Sequence, residues 1–437
     1  MKEIPQFLIA APSSSSGKTT VSRAIMAALT RRGMRVQPFK CGPDYIDTKF
    51  HEAVCGRPSV NLDTYMSSAA HLKALYAAYL SGADVSIAEG MMGMYDGYDR
   101  DRGSSAEIAA LLSLPVVMVV NASSAAYSTA ALLKGFVSFR DNVRIVGVIF
   151  TKVGSPRHYA MLAQACDDLQ LPCLGYLPKD PSLEQKTRYL GLDFGDTRHV
   201  DNLSRLVALT EEHIDLSTLL TLTRRPLPAA PSAIAEPRGN INITVARDEE
   251  SFSFLYTEHL DILRSLGKVT YYSPLDDKPL PTPTDFLYLP GGYPERHAAQ
   301  LSAAKVSLRS VRDYVENGGR TLAECGGMIY LSGGVHFDDN PTFVPLVGVL
   351  PFTITCRKEH RKLSLGYRSI SLDGRELRGH EFHYTQIHPS DTHLMQTAAA
   401  VVNAKGAPTA SPVFRHKRLL ASYVHLYWGE TDIISLL

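Results

Sequence analysis

The sequence predicts two α/β domains in tandem, and three observations carry that reading. Its 437 residues exceed what one hydrophobic core ordinarily organises. Through the first half, short apolar runs alternate with longer amphipathic stretches, the pattern of a parallel sheet with covering helices. The stretch RRPLPAAPSAIAEPRG, residues 224–239, then breaks the pattern with four prolines and no sustained periodicity, as an extended linker does. The expected domains are therefore residues 1–223 and 240–437, joined by 224–239.

In the first domain, strands are expected at Phe7–Ala11, Val85–Ala88, Val116–Val120 and Ile145–Phe150. Helices are expected at Lys18–Arg32, Ala69–Leu80 and Ala125–Phe136, each ending near glycine or a charged residue. After the linker, Ile241–Ala246 and Phe286–Leu289 read as strands and Phe252–Leu266 as a helix, so the second domain is α/β as well.

Apolar residues make up 45% of the chain and charged ones 20%, as in an ordinary globular protein. With 45 Lys and Arg against 44 Asp and Glu, the formal charge of +1 gives no global field for nucleic acid or an anionic membrane, and neither is expected as a partner. An acidic substrate must instead meet a local basic cluster. Cysteines 41, 55, 166, 173, 325 and 356 form no C-x-x-C pair, which argues against a zinc knuckle and for reduced thiols in the cytoplasm. The opening Met1-Lys2-Glu3-Ile4-Pro5 runs into an apolar stretch too short to span a membrane and without a cleavage-site pattern, so the protein is expected to stay where it is made.

Residues Phe7–Thr20 read FLIAAPSSSSGKTT, an apolar strand, a small-residue loop and a Gly-Lys-Thr entering a helix. This is the context a phosphate-binding loop needs. Backbone N–H groups from Ser16 to Thr20 would surround phosphate, Lys18 would reach its terminal oxygens, and the Thr19 hydroxyl would bind magnesium. Pro12 stands where the general pattern has its first glycine, and a serine-rich turn before an ordinary helix is the competing reading. Downstream acids favour the phosphate site. Glu89 ends an apolar strand and enters EGMMGMYDG with Asp96 close behind, and an acid at the carboxyl end of a strand suits a magnesium contact. Asp44 and Asp47 in FKCGPDYIDTKFH follow another strand and face the same cleft in this reading, although any one of these acids alone would more often be a turn or cap residue.

A second chemistry is written in RTLAECGGMIY, where an apolar strand runs into Cys325 and two glycines. A cysteine on a tight strand-to-helix turn is held beside backbone N–H groups, and a helix N-terminus favours its thiolate. His425 in ASYVHLYWG, expected at the end of another strand, becomes a general-base candidate once paired with Cys325. Gly291 and Gly292 in LPGGYPE either stabilise an oxyanion through their N–H groups or form a simple turn.

Taken together with GRPSVNLDTYM, ARDEESFSFLYTEHLDIL and YYSPLDD, these segments, in this order and over nearly the whole chain, resemble the cobyrinic acid a,c-diamide synthase family. The resemblance implies a P-loop-type, dethiobiotin-synthetase-like parallel-sheet domain followed by a class I glutamine amidotransferase-like α/β domain. It implies nucleotide and magnesium roles for Lys18, Thr19, Asp47 and Glu89, and has Asp44 and Asp96 organise the acceptor or a phosphorylated intermediate. Cys325 and His425 correspond to its glutaminase dyad. Ordinary class I glutaminases carry a glutamate two residues after the histidine, where this chain has Tyr427, a departure the cobyrinate-type branch shares.

The implied reaction uses ATP, Mg2+ and glutamine to amidate the a- and c-acetates of a corrin-like tetrapyrrole polycarboxylate through acyl phosphates. Alternatives are the same chemistry on hydrogenobyrinic acid or nickel sirohydrochlorin, and more distantly cobyric acid synthesis. A dethiobiotin-synthetase-like carboxylate ligase, or a ParA-like nucleotide switch, would leave Cys325 and His425 idle.

Overall fold

Every residue of β1 (Glu3–Ala10) after Glu3 is buried. Phe7 and Ile9 enter the hydrophobic core on one face of the sheet and Leu8 and Ala10 the core on the other, which is why the strand reads as one continuous apolar run. A computed structural model describes residues 2–181, 198–229, 239–339 and 342–437. They divide into two compact units, Met1–Ile234 and Ala235–Leu437.

In the first unit β1 lies between β4 (Val85–Glu89) and β5 (Val116–Asn121), and the sheet extends through β2 (Val36–Cys41) to β3 (Val60–Leu62) on one side. On the other side follow β6 (Ile145–Val153) and β7 (Cys173–Pro178), all parallel. Helices cover both faces: α1 (Lys18–Arg31) packs Val21, Ile25 and Leu29 on one, and the helices Ala69–Tyr79 and Ser105–Leu112 pack Leu72, Leu75 and Ile108 on the other. This architecture delivers the loop after β1 and the end of β4 side by side at the carboxyl edge of the sheet, where α/β folds bind ligands.

The expected linker begins as structure. Arg224–Pro226 form β8, antiparallel to Glu3–Pro5, while residues 230–238 lie outside the described residues. The expected helix at Ala125–Phe136 is found at Thr129–Ser138.

The second unit holds a six-stranded sheet in the order β10-β9-β11-β12-β21-β20, formed by β9 (Ile241–Ala246), β10 (Gly267–Tyr272), β11 (Phe286–Leu289), β12 (Arg320–Glu324), β20 (Val413–His416) and β21 (Leu419–Ser422). Only the β20–β21 pairing is antiparallel. Between β12 and β20 the chain builds a small sheet from β13 (Gly334–His336), β14 (Phe343–Pro345), β15 (Ile354–Thr355) and β18 (Gln386–Ile387). It also contributes β16 (Ser364–Leu372), β17 (Arg375–His383) and β19 (Ala400–Asn403) to an antiparallel sheet completed by β22 (His425–Tyr427). The expected helix at Phe252–Leu266 starts only at Thr257. Phe252 and Phe254 are buried, and the Ser253 and Phe254 N–H groups both donate to the Gly291 carbonyl, so tertiary hydrogen bonds hold this segment out of the helix. No helix among the described residues is long and apolar enough to cross a membrane.

Candidate active sites

The loop after β1 closes on Gly17, whose φ of +95° is left-handed and favours glycine. The Thr151 hydroxyl donates to the Ser16 carbonyl at 2.8 Å and Ser16 Oγ to the Ser13 carbonyl at 2.9 Å, fixing the loop from outside and within. Lys18 is buried and its ammonium donates to the carbonyls of Ser13 and Met92, bridging this loop to the one after β4. Desolvation first, then the neighbouring Lys40, lowers its pKa. Thr20 follows in the first turn of α1.

Thr19 Oγ1 donates to Glu89 Oε1 at 2.7 Å. Glu89 is fully buried and also receives Lys40 Nζ at 3.1 Å and faces His51 Nε2 at 2.8 Å. Lys40 reaches Asp47 at 2.6 Å and stands 3.8 Å from Asp44. Burial works against the Lys40 charge, but Asp47, Glu89 and Asp44 overcome it and raise its pKa. Glu89 shows the converse: desolvation opposes ionisation, and Lys40 and the His51 hydrogen bond hold its carboxyl below the usual range. Asp47 is pushed up by burial and by Asp44. Asp44 Oδ1 accepts the N–H groups of Ile46 and Asp47 at 2.8 Å each, at the start of α2 (Asp47–Cys55), and Asp96 accepts the Gly93 N–H at 2.9 Å. Among the described residues no three His, Cys, Asp or Glu side chains form a ready-made metal cage. Mg2+ ordinarily takes one or two carboxylates and completes its shell with phosphate and water, and the oxygens of Thr19, Glu89 and Asp47 fit such a set.

In the second unit Cys325 stands between β12 and the helix Gly326–Leu331 at φ +46° and ψ −102°. A non-glycine residue there is strained, and a strained strand-to-helix turn is how a nucleophile is presented to a cleft. Its neighbour Glu324 ties it to the histidine: Glu324 Oε1 accepts the Leu426 N–H at 2.9 Å and Oε2 the Tyr288 hydroxyl at 2.7 Å, so the strand before Cys325 is bonded to the strand that begins with His425. The Gly291–Gly292 turn touches both. A Cβ on Gly291 would collide with the His425 ring, standing 2.9 Å from Nδ1. The N–H groups of Gly292 and Gly326 favour negative charge on the Cys325 sulfur.

Burial first and then the Glu295 carboxylate nevertheless push the Cys325 thiol up. His425, desolvated and close to His380 and His383, is lowered to about 3. The expectation that the helix N-terminus favours thiolate is thus outweighed, because desolvation of a buried sulfur exceeds what one short helix offers. The Gly291–Gly292 turn thus relates a thiol that burial pushes up to an imidazole that burial pushes down, and a neutral imidazole can take a thiol proton.

Two domain families match the chain: the CobQ/CobB/MinD/ParA nucleotide binding domain over residues 7–190 and the CobB/CobQ-like glutamine amidotransferase domain over residues 242–433. The chain is 41% identical over 435 residues to a cobyrinate a,c-diamide synthase of Caldanaerobacter subterraneus, covering 96% of this chain and 94% of that protein. A hydrogenobyrinate a,c-diamide synthase of Brucella suis is 42% identical over 400 residues, covering 87% and 89%. A cobyrinate a,c-diamide synthase of Dehalococcoides mccartyi is 36% identical over 451 residues, covering 99% and 96%. The chain belongs to the cobyrinate a,c-diamide synthase family.

Within this family member the structure gathers Lys18, Thr19, Asp47 and Glu89 in one cluster with Asp44 at its edge. Asp96 is exposed and spends one oxygen on its own turn, although its charge is still felt by Lys18. His425 opens its strand rather than ending one. Tyr427, where ordinary class I glutaminases carry a glutamate, donates its hydroxyl to Glu258. Lys40, His51 and Glu295 join these sites although no motif marks them, each lying inside a segment that carries other site residues. Lys40 and His51 flank the acids of FKCGPDYIDTKFH and Glu295 closes LPGGYPE. Nothing in the local sequence VQPFKC marks Lys40 as a site residue.

Proposed function

We propose that this protein amidates the a- and c-acetate carboxylates of cobyrinic acid, using ATP and ammonia released from glutamine. The observation that carries the reading is the Gly291–Gly292 turn, which meets the His425 ring on one side and offers an N–H to Cys325 on the other, in a chain that also holds a phosphate loop facing Glu89. A nucleotide switch or a simple carboxylate ligase has no use for the second unit. The six cysteines are free thiols, which supports action in a reducing cytoplasm.

In the glutaminase half-reaction the Cys325 sulfur attacks the carboxamide carbon of glutamine while His425 takes the thiol proton. The N–H groups of Gly292 and Gly326 receive the developing oxyanion. His425 returns the proton to the departing nitrogen, ammonia leaves, and water hydrolyses the thioester to glutamate and free thiol. In the other half-reaction a carboxylate of the macrocycle takes the γ-phosphoryl group of ATP. Ammonia then displaces phosphate to give the amide. Phosphorylation is required because a carboxylate lacks a leaving group. Lys18 and the N–H groups of Ser16–Thr20 hold the phosphates, with Lys18 exchanging its carbonyl partners for phosphate oxygens. Thr19, Glu89 and Asp47 would hold Mg2+, which neutralises phosphate charge when bound, while Asp44 and Asp96 face the acceptor.

Cys325→Ala tests the reading, with cobyrinic and hydrogenobyrinic acids supplied in turn and products followed by mass spectrometry. Each amidation lowers the mass by about one unit. The variant is expected to lose glutamine-driven amidation and keep ammonium-driven amidation, and equal loss with both donors in a folded protein would remove the assignment of Cys325. The macrocycle that the wild type converts fixes the acceptor.

A further inference from the structure

Glu295 is a carboxylate that the reaction as described does not use. Its Oε2 is shut off from solvent and makes no hydrogen bond among the described residues, while the residue as a whole is only half-buried. It follows Pro294, whose Cδ would stand 2.9 Å from a Cβ on Gly326, the residue after Cys325. Its charge is felt by Cys325, Cys356 and Tyr423. Its own backbone N–H, then Arg296 and Arg361, favour its charge, yet Arg296 is committed to Glu250 at 3.2 Å and Arg361 to the Cys356 carbonyl at 2.9 Å. A buried carboxylate oxygen without a donor is costly and is kept where a ligand supplies the donor.

We propose that Glu295 is the glutamine-selectivity residue of the second unit: its carboxylate receives the α-ammonium group of glutamine while the carboxamide lies against Cys325. This rests on the glutaminase reading above. An ionised carboxyl accepts hydrogen bonds and donates none. Glutamine carries two N–H bearing groups, the carboxamide and the ammonium. The carboxamide nitrogen must leave as ammonia, and an anion holding it would oppose that departure, which leaves the ammonium as the matched partner. Burial raises the Glu295 carboxyl to about 7 against the opposing pull of Arg296 and Arg361, so a bound cation is what restores its charge fully. The same charge holds the Cys325 thiol up. Pairing Glu295 with an ammonium relieves that repulsion, so the nucleophile becomes easier to ionise when glutamine is in place.

The test compares glutamine with glutaramic acid, which has the carboxamide and lacks the α-ammonium. Ammonia release from the full-length protein is measured in the wild type, Glu295→Gln and Glu295→Asp. The wild type is expected to prefer glutamine. Glu295→Gln is expected to lower kcat/KM for glutamine about 10- to 100-fold, mainly through KM, as loss of one charged hydrogen bond would, and to keep turnover of glutaramic acid at or above the wild-type level, since the charge that holds the Cys325 thiol up is gone. Glu295→Asp should restore part of the preference. Turnover of glutaramic acid reports that the variant is folded. A wild type that uses both amides equally, or a Glu295→Gln protein that keeps the wild-type ratio because both substrates fall together, overturns the proposal. Failure of the glutaminase reading shows separately, as glutamine use that survives Cys325→Ala.

Discussion

The two candidate sites treat charge in opposite ways. In the first unit Asp47, Glu89 and Asp44 hold the buried Lys40 charged, and Lys40, His51 and Thr19 hold Glu89 ionised, while burial and Asp44 push Asp47 up. In the second, Cys325 and His425 are as deeply buried and kept neutral, the thiol pushed up and the imidazole pushed down by desolvation. Both sites sit where a strand of an α/β sheet hands over to a loop, so the scaffold does not explain the difference. The proposed chemistries do. Binding a polyphosphate requires fixed charges in place before the ligand arrives, whereas thiol attack requires a proton transfer that is best deferred until the amide is present. Burial is offset at Lys40 and Glu89 because each has an opposite charge beside it. It gives the second a pair whose charges appear only during reaction.

The comparison breaks most sharply at Lys18. Lys18→Ala is expected to lower ATP-dependent amidation by about 1,000-fold, whichever nitrogen donor is used, since a preorganised charge is removed. Basal glutamine hydrolysis should persist. Product formation and ammonia release are measured in parallel, and loss of both would mean that the two chemistries are not separable as drawn.

Gly291→Ala should do the reverse. The added methyl meets the buried His425 ring, and displacing a catalytic base by an ångström costs about 100-fold. Glutamine-driven amidation is expected to fall by about that factor while ammonium-driven amidation stays at the wild-type level. Near-equal loss with both donors would show that the turn supports the whole unit rather than the base.

A smaller effect tests whether the second unit tolerates charge near Cys325 and His425. Glu381 lies beside His383 at 2.8 Å and Arg368 at 2.6 Å, and its charge is felt by both Cys325 and His425. Desolvation opposes its ionisation, but His383, Ser411 and Arg368 hold the carboxyl at about 2 against an ordinary 4.5. Because the folded value is the lower one, the associated stability is present above about pH 4.5 and is lost as pH falls toward 2. Chemical denaturation between those limits should show the wild type losing about 2 kcal/mol that Glu381→Gln does not lose. Parallel slopes for the two proteins would remove Glu381 from the network.

What the sequence alone determined follows from local physics. Strand runs such as Phe7–Ala11 and Phe286–Leu289 are apolar because both faces are covered, and the Gly-Lys-Thr and Glu-Cys-Gly-Gly turns are legible because each needs particular residues at consecutive positions. The helix expected from Phe252 fails because Gly291, far along the chain, takes the hydrogen bonds of Ser253 and Phe254. Lys40 is unremarkable in sequence and becomes the counter-charge of the first site only when β2 lies beside β4. The neutrality of Cys325 and His425 likewise depends on which residues surround them. Burial and the distance between charges are properties of packing, and no spacing of residues along a chain encodes them directly.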